Sequence, residues 1–235
     1  MKLLGIDTNA KTVKGQKKGF ITAILYMLPW KFAGVGNVCP MADVAKCHEG
    51  CLNTAGRGAF SNVQLARKRK TELFYAERKP FVSTVVNDVR RAIRKAEKTG
   101  TTPLVRLNGT SDVRWETIPV DVDGVLYPNI MYAFPHVQFY DYTKIVGRTV
   151  PPNYDLTFSY SGVPDFKPSV DRAIADGMRI AVVFRHRNKI PTTFMGMPVV
   201  DGDDTDIRHL DPKGVVVALY AKGKAKKDTT GFVVD

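Results

Sequence analysis

All three cysteines of this 235-residue chain lie in one glycine-flanked segment, residues 36–58. Cys39, Cys47 and Cys51 follow the spacing C-x7-C-x3-C. An odd number of cysteines excludes a complete set of intramolecular disulfides. Thiols grouped in this way are typical of metal binding or redox chemistry in a reducing compartment. The segment, called here the cysteine loop, therefore predicts a metal or cluster site.

Three occupants are compatible with these thiols. Three thiolates suit a [4Fe–4S] cluster in which the protein holds three irons and leaves one open. A structural zinc ion needs a fourth ligand, for which the chain offers four histidines: His48, His136, His186 and His209. Unligated or redox-active thiols are the third alternative. The sequence favours the cluster, because the glycines in and beside the loop allow it to wrap closely around a bound group.

The chain carries a formal charge of +12, and much of it lies in one region. Residues 66–98 contain eleven Lys or Arg and four Asp or Glu, a difference of 11 − 4 = +7. Positive charge of this density attracts nucleic acid, and Arg90, Arg94 and Lys95 are the predicted contacts. The alternative is the solvated face of a helix.

The order of elements predicts a single α/β domain over residues 1–235. Its parts are an N-terminal arm or edge strand (1–19), the cysteine loop (36–58), two basic helices (61–99) and β/α repeats (103–221). The first helix begins at Ser61 with a capping box to Gln64. The second follows Pro80 and has an apolar face formed by Phe81, Val85, Val89, Ile93 and Ala96.

Six apolar segments predict the strands of the sheet: 21–28, 103–109, 137–143, 155–161, 179–186 and 214–221. Helices are predicted between them, including 127–134 and 168–177. Strands that alternate with helices favour a mostly parallel sheet, either open or closed into a partial (β/α) barrel.

Polar side chains recur where the predicted strands end. Because the carboxyl ends of parallel strands share one edge of a sheet, these side chains are expected to line a ligand pocket. The candidate cofactor-binding residues are Arg106, Asn108, Asp112, Tyr140, Lys144, Ser159 and Arg185.

An acidic segment near the C-terminus places five aspartates between Asp201 and Asp211. Its spacing would suit Ca²⁺ or Mg²⁺, but it lacks the glycine and glutamate of an EF-hand loop. A solvated turn that pairs with basic neighbours is the favoured interpretation.

The chain resembles a family of tailed-bacteriophage proteins in the order of its motifs, from KTVKGQKKGFITAILYMLP and GNVCPMADVAKCHEGCLNTAGRG through RLNGTSD, FYDYTK, TFSYSG and AVVFR to DGDDTDIRHLDPKGVVVALYAKG. That family carries a three-cysteine motif and is similar to a divergent, reduced radical-SAM barrel. The resemblance implies a [4Fe–4S] cluster on Cys39, Cys47 and Cys51, a partial (β/α) barrel, and S-adenosylmethionine as a candidate ligand. The spacing here differs from the C-x3-C-x2-C of radical-SAM enzymes.

Two functions follow as expectations. In the first, the protein is a radical-SAM-like enzyme that binds a small molecule at the open iron. In the second, it is a non-catalytic protein that binds nucleic acid or a host or phage protein, and its cluster or zinc is structural.

The apolar stretch of residues 19–29 is too short to cross a membrane. The predicted compartment is the host cytoplasm.

Overall fold

The computed structural model describes residues 2–7 and 10–235, without the side chains of residues 10 and 11. The strands of this part are β1 (Leu4–Ile6), β2 (Phe20–Leu25), β3 (Thr102–Arg106), β4 (Val120–Val122), β5 (Val125–Tyr127), β6 (Gln138–Thr143), β7 (Tyr154–Ser159), β8 (Ile180–Phe184), β9 (Thr193–Phe194), β10 (Met197–Asp201) and β11 (Val216–Tyr220). The helices are α1 (Ala10–Gln16), α2 (Ser61–Ala76), α3 (Arg78–Thr99), α4 (Ile130–Ala133) and α5 (Lys167–Ala175).

One large sheet organises the domain, with the strand order β1-β2-β3-β6-β7-β8-β11-β10-β9. Every neighbouring pair from β2 to β10 is parallel, and the two outermost pairs are antiparallel. The mostly parallel α/β domain that the sequence predicts is therefore confirmed. In the described residues β1 and β9 do not pair with each other, so the sheet is open.

One face of the sheet carries the main hydrophobic core. The strand register aligns Ala23 with Val105 and Phe139 with Tyr154, which places these side chains on the same face. Helix α3 covers this face at β2 and β3, and α5 covers it at β7 and β8. Each successive parallel strand from β2 to β8 is added on the same side of the strand before it. The helices that connect them, α3 and α5, therefore lie on the same face of the sheet.

Helix α3 follows the predicted amphipathic pattern. Phe81, Val85, Val89 and Ala96 are at most 1% exposed, and Ile93 packs against the same core. Burying each large apolar side chain contributes about 1.5–3 kcal/mol. Gly100 ends the helix in the left-handed conformation, with φ of 61°, as the glycine predicts.

Helix α2 begins at the predicted residue, but the capping box is wrong. Phe60 occupies the N-cap position and makes no side-chain cap. The Gln64 amide instead donates to the carbonyl oxygens of Asn53, at 2.9 Å, and Gly58. The glutamine therefore fastens the cysteine loop to the helix.

The opposite face of the sheet is covered by a chain segment that follows β10. Ile207 packs there against Leu104 and Tyr140. Its side chain also lies close to Gly15 of α1, with a carbon atom 3.4 Å from the position that a Cβ atom on Gly15 would occupy. The acidic segment thus folds inward across the sheet.

The predicted N-terminal arm forms the edge strand β1 and then helix α1, which the sequence did not predict. Residues 1, 8 and 9 of this arm lie outside the described residues. The carboxylate of Asp88 on α3 accepts hydrogen bonds from the backbone N–H groups of Leu3, at 2.6 Å, and Leu4, at 2.8 Å. Side chains therefore satisfy edge groups that would otherwise be open to another strand.

Among the described residues, every helix is too short or too polar to cross a lipid bilayer.

Candidate functional site

The cysteine loop follows β2 and crosses the edge at which the parallel strands end. The N–H of Asp112, after β3, donates to the carbonyl of Val38 at 2.7 Å. The hydroxyl of Ser161, after β7, donates to the carbonyl of Ala45 at 2.8 Å. These bonds hold the loop against the connections of two different strands, so the thiols lie at the carboxyl edge.

The three thiols are half-buried and interact with one another through charge. Cys39 Sγ lies 3.7 Å from the carbonyl oxygen of Thr110, and Cys51 Sγ accepts from the N–H of Asn53 at 3.5 Å. Burial raises the pKa of all three thiols, to about 11 for Cys51. Negative charge on Cys47 or Cys51 raises the pKa of Cys39 further. The thiols are therefore neutral at pH 7 unless a bound cation stabilises the thiolates.

Lys144 is the predicted strand-end residue that faces these thiols most directly. It is 9% exposed. Its ammonium group donates to the carbonyl of Ser159 at 2.9 Å, to the Ser159 hydroxyl at 3.0 Å and to the carbonyl of Tyr160 at 3.1 Å. Burial lowers the pKa of Lys144, while charge on Cys47, on Asp112 and on the other two cysteines raises it. Its hydrogen-bond acceptors are all uncharged.

Arg67 of α2 is a second buried cation beside the thiols. It is 9% exposed, it bonds to the side-chain oxygen of Asn53, and its guanidinium lies 4.8 Å from the Tyr26 ring. Burial lowers the pKa of Arg67, and charge on Tyr26 and on Cys51 raises it. We call Cys39, Cys47, Cys51, Lys144 and Arg67 the thiol site.

Asp112 links the thiol site to a neighbouring ion-pair network. Its carboxylate accepts from the Thr143 hydroxyl at 2.8 Å and from the N–H of Lys144 at 2.7 Å. Arg148 lies 3.3 Å from the same carboxylate and binds both oxygens of Glu116, at 3.0 and 2.6 Å. Burial raises the pKa of Asp112. Asp112 and Glu116 therefore share the single positive charge of Arg148.

The other predicted pocket residues lie away from the thiols. Asn108 is buried in a turn, where its side chain bonds to Ser111 and Val113. Arg106 and Tyr140 lie on the sheet face that the acidic segment covers, and Arg106 pairs with Asp206. Arg185 binds the C-terminal segment through Asp235 and through the carbonyls of residues 226 and 228. The charges of Lys144 and Asp112 thus interact with the thiols, Ser159 binds Lys144, and the remaining four make the contacts given above.

The acidic segment pairs with basic residues, as the favoured interpretation predicts, but two of its aspartates are not solvated. Asp206 is 6% exposed and pairs with Arg106. Asp203 accepts from Lys222 at 2.9 Å with a side chain that is 8% exposed. Segment 202–211 therefore neutralises buried cations.

The predicted nucleic-acid contacts lie on α3. Arg94 and Lys95 are exposed, whereas Arg90 is half-buried and pairs with Asp123.

In the described part of the chain, no three His, Cys, Asp or Glu side chains converge on a point where a single metal ion would bind. His48 is engaged elsewhere, because its ring stacks on Trp30 at 4.3 Å and its Nδ1 lies 3.3 Å from the carbonyl of Ala42.

Sequence reasoning missed Arg67 and Arg148. Arg67 belongs to a run of basic residues that reads as a solvated helix face. Its burial comes from the packing of the cysteine loop against α2, where it bonds to Asn53, and no local sequence pattern signals that contact.

Fold and site together define a single-domain α/β protein with a thiol-bearing loop at the carboxyl edge of an open, mostly parallel sheet. Over residues 2–235 the chain matches the family model described as Gene product 88, and it belongs to that family. This designation is consistent with a bacteriophage protein and gives no support to a radical-SAM relationship. No curated protein and no solved structure matches the chain.

Proposed function

We propose that this protein binds a [4Fe–4S] cluster through Cys39, Cys47 and Cys51. One observation carries the proposal: two buried cations interact through charge with the thiols, Lys144 with all three and Arg67 with Cys51, and their own hydrogen-bond acceptors are uncharged.

The charges of the thiol site support an anionic occupant. A buried ion without a partner costs several kcal/mol. With three neutral thiols, Arg67 would have no charged hydrogen-bond acceptor, and the carboxylate that interacts with Lys144, Asp112, is shared with Arg148. A cluster held by three thiolates has a net charge of about −1. Binding it converts two unfavourable cations into favourable partners.

Geometry favours a cluster over a single zinc ion. Zinc binds each sulfur at about 2.3 Å, so its thiolates must converge on one point. Each thiolate of a cluster binds a different iron, so the sulfurs stand further apart. In the described residues no three His, Cys, Asp or Glu side chains converge on one point, as a single zinc ion would require.

The topology supports a partial (β/α) barrel around this site. The parallel strands β2, β3, β6, β7, β8 and β11 are neighbours in the sheet in the same order as in the sequence. Helices α3 and α5 cover the same face of that sheet. Strands in such a barrel carry ligands at their carboxyl ends, which is where the cysteine loop lies.

The fourth iron would have no thiolate from this chain, which has three cysteines. We propose that it is open to a small ligand, with S-adenosylmethionine as one candidate. The cluster would supply one-electron reduction to that ligand. Lys144 and Asp112 would orient the ligand's charged groups, and the surrounding loop would limit the access of water.

A non-catalytic function is the second candidate, favoured by the exposed cations of α3. Arg94 and Lys95 project from a helix whose other face is buried in the core, so they are held on a rigid element. Such a face would bind the nucleic-acid backbone without reading its sequence. Both candidates fit a bacteriophage protein that acts in the reducing host cytoplasm.

Cysteine substitution tests the proposal. Purified anaerobically, the wild-type protein should be brown and absorb broadly near ~400 nm, because thiolate sulfur transfers charge to iron. Cys39→Ala, Cys47→Ala and Cys51→Ala should each lose most of this absorbance, while Val44→Ala, an exposed change in the same loop, should keep it. Equal absorbance in all four variants would contradict the assignment.

A further inference from the structure

A cavity of about 270 Å³ lies beside the cysteine loop, outside the thiol site. Its walls come from the end of α2, the first residue of α3, loop residues 37, 38 and 40, the connection that follows β3, and Ile145 after β6. Cys39 itself is not part of the wall, and its sulfur bonds to the carbonyl of Thr110. The cavity is therefore separate from the proposed cluster.

Apolar and polar groups line the cavity in similar measure. Val38, Val113, Ile118 and Ile145 line it together with the Phe74 ring, and Asn37 and Thr117 add polar groups. The volume lies just below the roughly 300–1,000 Å³ typical of small-molecule sites. It therefore fits a small ligand with an apolar or aromatic body.

Two arginines line the cavity. Arg78, the first residue of α3, lies with its guanidinium 3.5 Å from the centre of the Phe74 ring, and its Nε donates to the carbonyl of Phe74 at 2.9 Å. Neither contact neutralises its charge. Arg114 is half-exposed and lies 3.4 Å from Glu116, but both oxygens of that carboxylate are bound by Arg148. The cavity mouth is therefore positively charged.

The negative group in the wall is also accounted for. Asp112 lines the cavity; its carboxylate accepts from Thr143 and from the N–H of Lys144, and it shares Arg148 with Glu116. Arg78 and Arg114 thus keep donors free for a ligand.

Tyr75 completes the wall because residue 36 is glycine. Gly36 has φ of 156°, and a Cβ built on it would overlap the Tyr75 ring. The loop therefore approaches α2 closely only with glycine at this position, which fixes the aromatic ring beside the cavity.

We propose that this cavity binds a small organic anion, whose carboxylate or phosphate is held by Arg78 and Arg114 and whose apolar body lies on Val113, Ile118 and Ile145. Guanidinium groups bind both oxyanions through paired, charge-assisted hydrogen bonds. The inference does not depend on the cluster.

Titration of the full-length protein with three probes of one shape tests it: phenyl phosphate, benzoate and benzylamine. Isothermal calorimetry should detect saturable binding of at least one anion, and the stronger of the two identifies phosphate or carboxylate as the preferred group. Benzylamine should not bind, since its cation meets two arginines.

Substitutions locate the binding. Arg78→Gln and Arg114→Gln should each weaken the anion about tenfold, the loss expected for a charge-assisted contact. Arg69→Gln, an exposed change on α2 outside the cavity, should leave affinity unchanged. The proposal is overturned if neither anion binds the wild-type protein, if benzylamine binds equally well, or if both cavity variants match Arg69→Gln. Circular dichroism confirms that each variant is folded.

Discussion

At the scale of single residues, burial gives Lys144 and Arg67 their significance. Most charged residues of this basic chain are solvated, but these two are 9% exposed and bond to uncharged acceptors beside three thiols. The sequence predicted Lys144, because it follows the end of a strand. It could not predict Arg67, because burial within a basic helix depends on how the cysteine loop packs against that helix.

Lys144→Met tests the electrostatic role of the lysine. Methionine keeps an apolar stem of similar length against Phe166 and Phe232 and removes the cation that faces the thiols. Bound iron per chain should fall severalfold, because the anionic site loses a buried cationic partner. Lys17→Met, an exposed lysine distant in sequence, is the control. Unchanged iron content in Lys144→Met, with folding intact, would show that Lys144 is only structural.

His209 predicts a pH dependence of stability. Burial lowers its pKa to about 4, with Arg179 contributing, and the ring packs on Phe20 and Tyr140. The folded state favours neutral histidine, whereas the unfolded state takes up a proton near pH 6.5. The stabilisation is therefore complete above pH 6.5 and is lost as the pH falls from 6.5 towards 4.

His209→Phe should remove this dependence while keeping the aromatic packing. Between pH 7 and pH 5 the wild-type free energy of unfolding should fall about 1 kcal/mol further than that of the variant, allowing for partial exposure of the ring. Denaturant unfolding at the two pH values measures both. Parallel losses in the two proteins would mean that His209 titrates normally.

At the scale of secondary-structure elements, the sequence predicted long elements with a regular apolar pattern better than short ones. Helix α3 spans 22 residues with one apolar stripe, so its bounds and buried face were close to those predicted. Strand β1 has three residues and β9 has two, too few for an alternating pattern to emerge. The capping box failed because Gln64 bonds to the cysteine loop instead of its own helix start.

Helix α3 also carries the test of nucleic-acid binding. The double variant Arg94→Glu and Lys95→Glu should weaken retention of a DNA duplex at low salt severalfold. Each phosphate contact that is lost reduces the number of counterions released on binding. Adding Arg90→Glu should weaken it further, although that residue also pairs with Asp123. The control pair, Arg187→Glu and Lys189→Glu, changes the net charge equally on an exposed connection. Equal retention by both pairs, or salt-independent binding, would identify α3 as a solvated face.

At the scale of the whole molecule, strand order brings distant residues together. The parallel strands from β2 to β11 end at one edge, so a loop after β2 meets Asp112, Lys144 and Ser161 from three later connections. The alternation of elements predicted this edge from sequence. It could not predict that segment 202–211 covers the opposite face and engages Arg106, because that contact joins residues far apart in the chain.

The central claim is that the three thiols hold an iron–sulfur cluster, and the composition of the bound group tests it most directly. Protein purified without oxygen from cells supplied with iron should contain about four iron and about four acid-labile sulfide per chain. It should contain little zinc, and the iron should fall together with the absorbance in the cysteine variants. About one zinc per chain, with neither iron nor sulfide, would contradict the claim and assign the cysteine loop to a structural metal instead.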